Sequence, residues 1–436
     1  LYLKYHIRAI EAAAYLMMTA NLVHYRVAGL SEAPDGSVLI ANRVIAKLSR
    51  KEVARRFLAP APADILKKLV EKGVLTKEEA LSVTEEIKME AKEKEKKAEE
   101  KKAKWEGSFR MRHDSQWFDK PEKADRHRER IQGRFGFTYD INEMAQVGFQ
   151  LGTGEKQDQI TLNQSLGDIF ELKNVWLEAA YVRHKFFEKM LDVYLGKFKN
   201  PFTPHTWIVF DPDLHTEGVA IQARYELGKP SVFLNAGAFP LDEISGDSSD
   251  PWLLGIQGGI KYGEKDKFDL VVGLAHYNYS NVDLITADDN KYHGNTMNAF
   301  RVYNATANVS VYLPLYVGLT ADYVFNTAAD DNNDGYLLGI TAGSKKVENF
   351  KDWQVFATYS RVESDATYDE FLDSDFRSGG TNNKGWTLGY RFGLGKGWAH
   401  ALKYYITENV SAPIAGDKRS NEEDRIQIDL TYAFKF

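Results

Sequence analysis

The sequence contains no cysteine. Disulfides and thiolate metal centres are therefore excluded. Long apolar runs are missing too: no stretch approaches 18 apolar residues, so helical membrane spans are excluded. Strands are not excluded, because a barrel strand needs only about 9–11 residues, half of them polar. No G-x-S-x-G, H-E-x-x-H, P-loop or dinucleotide glycine pattern occurs, and the 10 histidines are scattered. The common hydrolase, zinc-protease and nucleotide-binding signatures are thus absent. No motif repeats at a fixed length, which argues against a propeller or a solenoid.

Aromatic residues, at 13%, and 33 glycines are plentiful. They suit aromatic girdles and tight strand packing better than a helical enzyme. The net charge of −6 hides an asymmetry. Residues 1–104 hold 21 Lys and Arg against 15 Asp and Glu, whereas residues 105–436 hold 35 against 47. A mildly basic appendage therefore precedes an acidic body.

The last twelve residues organise the rest. Ile426, Ile428, Leu430, Tyr432, Phe434 and Phe436 alternate with Gln427, Asp429, Thr431, Ala433 and Lys435. A period of two puts one set on each face of a strand. Its aromatic final residue resembles the terminal strand of bacterial outer-membrane barrels. From Trp105 onward the same period recurs in sixteen candidate strands: 105–114, 127–141, 145–154, 172–184, 191–199, 217–227, 231–239, 252–262, 268–279, 299–313, 316–326, 336–345, 353–362, 384–394, 398–407 and 425–436. Seven short turns alternate with eight long polar loops. An even-stranded up-and-down barrel requires that alternation, with both termini on the short-turn side. The expected fold is all-β: a 16-stranded antiparallel transmembrane barrel over 105–436.

Ahead of it the period is helical. Residues 1–62 read as a poorly legible helical element, with amphipathic spacing over 7–22 and 40–57. The Ala-Pro run at 59–62 is a stiff spacer. A short helix over 63–73 is followed by a long one over 76–104, opened by a Thr76–Glu79 capping box and rich in Glu–Lys pairs. This region, 63–104, is expected to be a periplasmic helix-turn-helix appendage. The chain begins at Leu1 without methionine, so a removed leader is expected.

Parity places one set of basic residues on the lumen side: Arg110, Arg112, Arg128, Arg130, Arg134, Arg224, Lys261, Arg391 and Lys403. Such guanidiniums would favour anions in a narrow pore. Alternatively they are struts paired with Glu106, Asp114, Glu178 and Asp322. The third long loop, 200–216, is apolar enough to fold inward, through Pro201, Phe202, Pro204, Trp207, Ile208, Val209 and Phe210. It would constrict the pore, with Lys199, His205, Trp207, Asp211, Asp213 and His215 at the narrowing. The other loops are acidic, including Glu363, Asp365, Asp369, Glu370, Asp373 and Asp375, and read as a solvated external face. Asp330, Asn332 and Asp334 match half of a calcium loop, but Thr341 stands where the closing glutamate belongs.

Three stretches carry a family resemblance. Leu-Gly-Lys-Phe-Lys-Asn-Pro-Phe at 195–202 leads into Asp-Pro-Asp-Leu-His-Thr-Glu-Gly at 211–218, and ILKKLVEKGVLTKEEA at 65–80 precedes the charged helix. Together they resemble the bacterial "putative porin" family and, more distantly, the phosphate-selective porins. The resemblance covers most of 63–436 and implies a trimeric outer-membrane channel for small hydrophilic solutes and ions. Lipid and lipopolysaccharide would surround it, and the N-terminal region would be periplasmic. The third loop lacks an interior lysine, unlike the phosphate-selective pattern. Neither a required cofactor nor a nucleic-acid partner is expected. Two other roles stay open: a tether from the outer membrane to the cell wall through the helices, and a barrel enzyme.

Overall fold

A computed structural model describes residues 102–436 apart from 121–122, 156–157, 247–248, 286–293, 413–416 and 418; ahead of them it describes 30–32, 38–40, 43–46, 70, 76–78, 81–82, 85 and 89. The chain divides into two units, Leu1–Lys101 and Lys102–Phe436.

The second unit is a closed antiparallel barrel of sixteen long strands. These are β1 (Ala103–Phe118), β2 (Arg126–Asp140), β3 (Ala145–Thr153), β4 (Val175–Phe186), β5 (Leu191–Lys199), β6 (His215–Glu226), β7 (Ser231–Pro240), β8 (Trp252–Glu264), β9 (Phe268–Ser280), β10 (Phe300–Tyr312), β11 (Tyr316–Asn326), β12 (Asp334–Gly343), β13 (Trp353–Val362), β14 (Asn383–Gly395), β15 (Trp398–Asn409) and β16 (Glu422–Lys435). Each pairs with its neighbours in sequence, and β16 closes on β1 with Asp429 opposite Arg112. A two-residue strand, Gln164–Ser165, adds a pairing against β2.

The sequence periods explain the outer surface. Alternate side chains such as Phe109, Met111, Leu254, Ile256, Leu338 and Ile340 are exposed, although a soluble sheet would bury them. Aromatics collect in two belts. Trp117, Trp176, Trp252 and Trp386 sit near the long-loop ends, and Trp105, Trp353, Trp398 and Tyr432 near the short-turn ends. On β8 the belts are ten residues apart, from Trp252 to Tyr262. At roughly 3.3 Å per residue and about 40° of tilt that is about 25 Å, the height of an apolar membrane band.

The interior departs from a uniformly wet lumen. Phe202, Ile208, Val209 and Phe210 of the third long loop are fully buried against Phe198, Phe239, Leu253, Tyr277 and Val302 of the wall. Tyr368 and Leu372 of the seventh long loop join the same cluster. This loop, 363–382, was expected to be a solvated face, yet Asp365, Asp369 and Glu370 are buried. Its apolar residues Leu372 and Phe376 carry the acidic ones inward, and partners there compensate the buried carboxylates.

The helical reading of the N-terminal part needs correction. Leu30–Glu32, Val38–Ile40 and Arg43–Ala46 form a three-stranded antiparallel sheet. The β-branched Val38, Ile40, Val44 and Ile45 favour strand over the helix expected across 40–57. Val70, Lys77, Glu78, Leu81, Ser82, Glu85 and Met89 are helical. The expected helices over 7–22 and 90–101 lie outside the described residues, as does Glu79 of the capping box. Ala103 and Lys104 belong to β1 instead of ending a helix, because the period of two already governs there.

Candidate pore constriction

Strands β16, β1 and β2 lie side by side, so their lumen faces form one continuous patch. Register sets Arg112 opposite Asp429 on one side and Arg130 on the other, and Asp114 opposite Gln427 and Arg128. The Arg112 Nε donates to Asp429 at 2.6 Å, and its Nη1 donates to Asp375 of the seventh loop at 2.8 Å. Arg425 clasps Asp114 through Nε at 2.6 Å and Nη2 at 2.9 Å, and meets Asp375 at 3.0 Å. Arg128 donates to Asp114 at 2.5 Å and to Gln116 at 2.8 Å. Further round, Arg134 lies 2.6 Å from Glu178 and 3.0 Å from Asp213 of the third loop. Arg110 donates instead to the neutral amide oxygen of Asn163 at 2.8 Å, and Arg130 reaches the Asn163 carbonyl at 3.5 Å.

Two inward loops face this wall, and they hold each other. The Asp211 N–H donates to the Phe371 carbonyl at 2.7 Å. The third loop is also fixed to the opposite wall: Gln222 and Gln257 donate to the carbonyls of Pro201 and Pro204 at 2.8 and 2.7 Å. Asp322 accepts from the Thr206 N–H at 2.9 Å and from Thr306 at 3.0 Å. A residue expected as an arginine strut therefore caps a loop. Gly255 leaves room for the Phe202 ring, with which any Cβ there would collide. The seventh loop is tied to the fifth by Asn295, which donates to the carbonyls of Ser364 and Thr367 at 2.6 and 2.8 Å. At its far end Arg377 donates to the Ser420 carbonyl at 2.9 Å.

The loop carboxyls are uneven. Burial and the neighbouring Asp373 and Asp213 push the Asp211 carboxyl well up. Burial and the charge of Asp375 raise Asp373 to about 6. Against its burial, Arg112 and Arg425 hold Asp375 well below the usual carboxylate range. Burial within the seventh loop pushes Asp369 up to about 7.

The expected site residues separate into groups. Arg110, Arg112, Arg128, Arg130 and Arg134 come together on β1 and β2, and Lys403 shares the electrostatic neighbourhood of Arg112, Asp373 and Asp375. Arg224, Lys261 and Arg391 lie toward the short turns, Arg224 being two residues from the end of β6 and opposite Phe233, and Arg391 opposite Gln354. In the third loop, which spans 200–214 because His215 and Thr216 already pair in β6, the Trp207 ring is tilted by 38° against that of Phe376, with the centroids 4.4 Å apart. His205 sits edge-on to Phe210, and His215 lies 3.6 Å from Glu178. Lys199, at the end of β5, is exposed. Glu106 pairs with Lys435 at 3.6 Å, away from the arginines.

In the calcium-like loop the Asp334 carboxylate faces Arg361 at 3.3 Å, and Asp330 is exposed. Among the described residues no group of three or more His, Asp or Glu is placed to hold a metal. Sequence reasoning missed Arg425, Asn163, Asp429 and the inward Asp373 and Asp375. Parity could have found two of them, because Arg425 and Asp429 share the face of Gln427.

Comparison with known proteins now decides the family. The family described as "Putative porin" matches residues 108–310 and 296–434. The chain belongs to it. Among solved structures, the porin resembles the high-pH structure of OprB from Pseudomonas putida, at 11% identity and a TM-score of 0.51, over 77% of this chain and 95% of that one. Such a likeness speaks for the barrel fold. A different kind of relative matches a shorter stretch. Polyunsaturated fatty acid synthase subunits C and B of Thraustochytrium sp. are 46% and 49% identical over 80 and 71 residues. Those stretches are 18% and 16% of this porin, which spans only 5% and 4% of the length of the two relatives.

Proposed function

We propose that this porin is a passive outer-membrane channel for small hydrophilic solutes and ions, with a weak preference for anions. The observation that carries the reading is the facing of an arginine wall on β16, β1 and β2 by two inward loops. Wall arginines in a poorly solvated constriction are screened little, whereas solvent-exposed charges more than a Debye length away, about 8–10 Å at physiological salt, are largely screened. Partial pairing of the arginines with Asp114, Asp375 and Asp429 is why the preference is weak. Passive diffusion asks for no cofactor and no catalytic group. Proteoliposome swelling tests the channel: small sugars should enter and large oligosaccharides should not. Exclusion of even the smallest sugar would refute it.

The same reading makes the porin a homotrimer in lipopolysaccharide-bearing membrane. Part of the second long loop is inside its own barrel, with Ile160 only 1% exposed. Ile169, Phe170 and Leu172 instead project at 97%, 99% and 91% exposure, and serve as the contact between subunits. Mass photometry in mild detergent should give three times the monomer mass, and monomers alone would refute it.

A second observation bears on the segment ahead of the barrel. The porin match takes 108–434, so the 80-residue synthase likeness fits without overlap only within 1–107. A likeness to another kind of protein in that segment favours a barrel whose conduction is independent of it over a cell-wall tether. Cell-wall pull-down of the full chain should recover no more protein than a chain lacking 1–101. Specific recovery of the full chain would restore the tether.

A further inference from the structure

We propose that Arg110 and Arg130, beneath Asn163, form a binding site for a small oxyanion, a carboxylate or phosphate group, in the lumen wall. The proposal rests on the reading of this lumen as a solute path and names what it retains.

Charge is the first argument. Five guanidiniums, Arg110, Arg112, Arg128, Arg130 and Arg425, share the patch with three contacting carboxylates, Asp114, Asp375 and Asp429. Arg112 and Arg425 each engage two of the three, and Arg128 takes the remaining edge of Asp114. Arg130 lies no closer than 3.7 Å to Asp114, and the hydrogen bond of Arg110 goes to a neutral amide. The surplus of positive charge therefore falls on Arg110 and Arg130. Asp429, Asp375 and Asp213 act on Arg110 without contacting it; a guanidinium so incompletely compensated away from bulk water is unfavourable, and an entering anion relieves it.

Geometry is the second. Arg130 is 7% exposed, and the Nε atoms of Arg110 and Arg130, like that of Arg128, are buried without a protein partner among the described residues. Register places Arg130 opposite Arg112 and Arg110 opposite Gln132, so Arg110 and Arg130 are diagonal neighbours on paired strands. Two forks at that spacing match the two or three oxygens of a carboxylate or phosphate. Asn163 is held over them, since its own amide nitrogen donates to Thr161 at 2.9 Å and its loop pairs with β2 through Gln164 and Ile131. Its oxygen is a neutral acceptor where an anionic one would bind more strongly.

The test is thermal unfolding of the full-length porin in detergent, with sodium phosphate or sodium acetate compared against sodium chloride at matched ionic strength. Either oxyanion should raise the Tm, saturating at millimolar concentration; whether phosphate or acetate does so at lower concentration identifies the group. In the double variant Arg110→Lys with Arg130→Lys, charge remains and the forks are lost, and the half-saturating concentration should rise at least tenfold. In Arg110→Gln with Arg130→Gln the shift should vanish. Equal Tm in all three salts, or a shift unchanged in the glutamine variant, overturns the site. Bilayer selectivity separates this from the channel reading: a cation-preferring wild type that is still stabilised by phosphate refutes the selectivity and leaves the site standing.

Discussion

The two sides of this lumen are built on opposite principles. On one, spanning β5 to β13, the inner wall is covered by buried Phe202, Phe210, Tyr277 and Val302, and the loops are fixed by packing. On the other, β16, β1 and β2 present arginines whose positions are set by carboxylates. Apolar packing is non-directional and fills volume, so it suits the anchoring of a loop. Charged pairs hold geometry but are costly to bury, so they suit the edge of an aqueous path. The difference assigns shape to one side and charge to the other.

The strongest way to break that division is to attack the packed side. Phe202→Ala removes a fully buried ring and should cost about 3–5 kcal/mol. The third loop should loosen, lowering the Tm and raising single-channel conductance, with little change in ion selectivity. A selectivity change without a conductance change would contradict the assignment.

On the charged side, Asp114→Ala leaves Arg425 and Arg128 without their shared partner. Breaking a buried pair costs about 3–5 kcal/mol in dry surroundings, and less beside a wet lumen. The Tm should fall by less than for Phe202→Ala, and anion preference should rise. A stable variant with unchanged selectivity would mean that these arginines do not face the path.

The pH response is smaller. Asp373, with its carboxyl near 6, faces Asp375 and Asp211 among the acids and Lys403 and Arg425 among the bases. As pH falls from 7.5 to 5 it takes up a proton, so negative charge beside the arginine wall decreases. Anion preference should therefore increase toward pH 5, and Asp373→Asn should flatten that slope. Stability follows the same protons. With Asp373 near 6 and Asp369 near 7, both raised above the unfolded value of about 4, the folded state binds more protons across that window. Docking of the seventh loop should therefore weaken as pH rises from 4 to 7, which hydrogen exchange would report. The smallest effect expected is none: removing 1–101 should leave conductance unchanged, and a lost channel would refute the independence of the barrel.

Much of the fold was legible because a barrel writes a period of two into every strand. All sixteen strand positions follow from it, with ends shifted by a few residues. β1 runs from Ala103 to Phe118, where alternation alone ended at 114, because a lumen-facing polar residue reads like a loop residue. The apolar third loop was legible for the same physical reason that it is buried. The seventh was not: Asp365, Asp369 and Glu370 look solvated in sequence, and only their distant partners Asn295, Thr296 and Gln159 make their burial possible. The arginine wall was legible as a face, but which arginines are satisfied was not. Arg128 finds Asp114 across one strand pair, whereas Arg112 depends on Asp375, 263 residues away. Part of the acidic fifth loop, 286–293, lies outside the described residues.

The most direct test of the central claim is the reversal potential of the wild-type channel in a planar bilayer under a tenfold potassium chloride gradient at pH 7. The wall-and-loop arrangement predicts a modest anion-selective potential that moves toward cations in the Arg110→Gln, Arg130→Gln variant, with conductance retained. A cation-selective wild type, or a variant whose potential does not move, would contradict the assignment of charge selection to that wall.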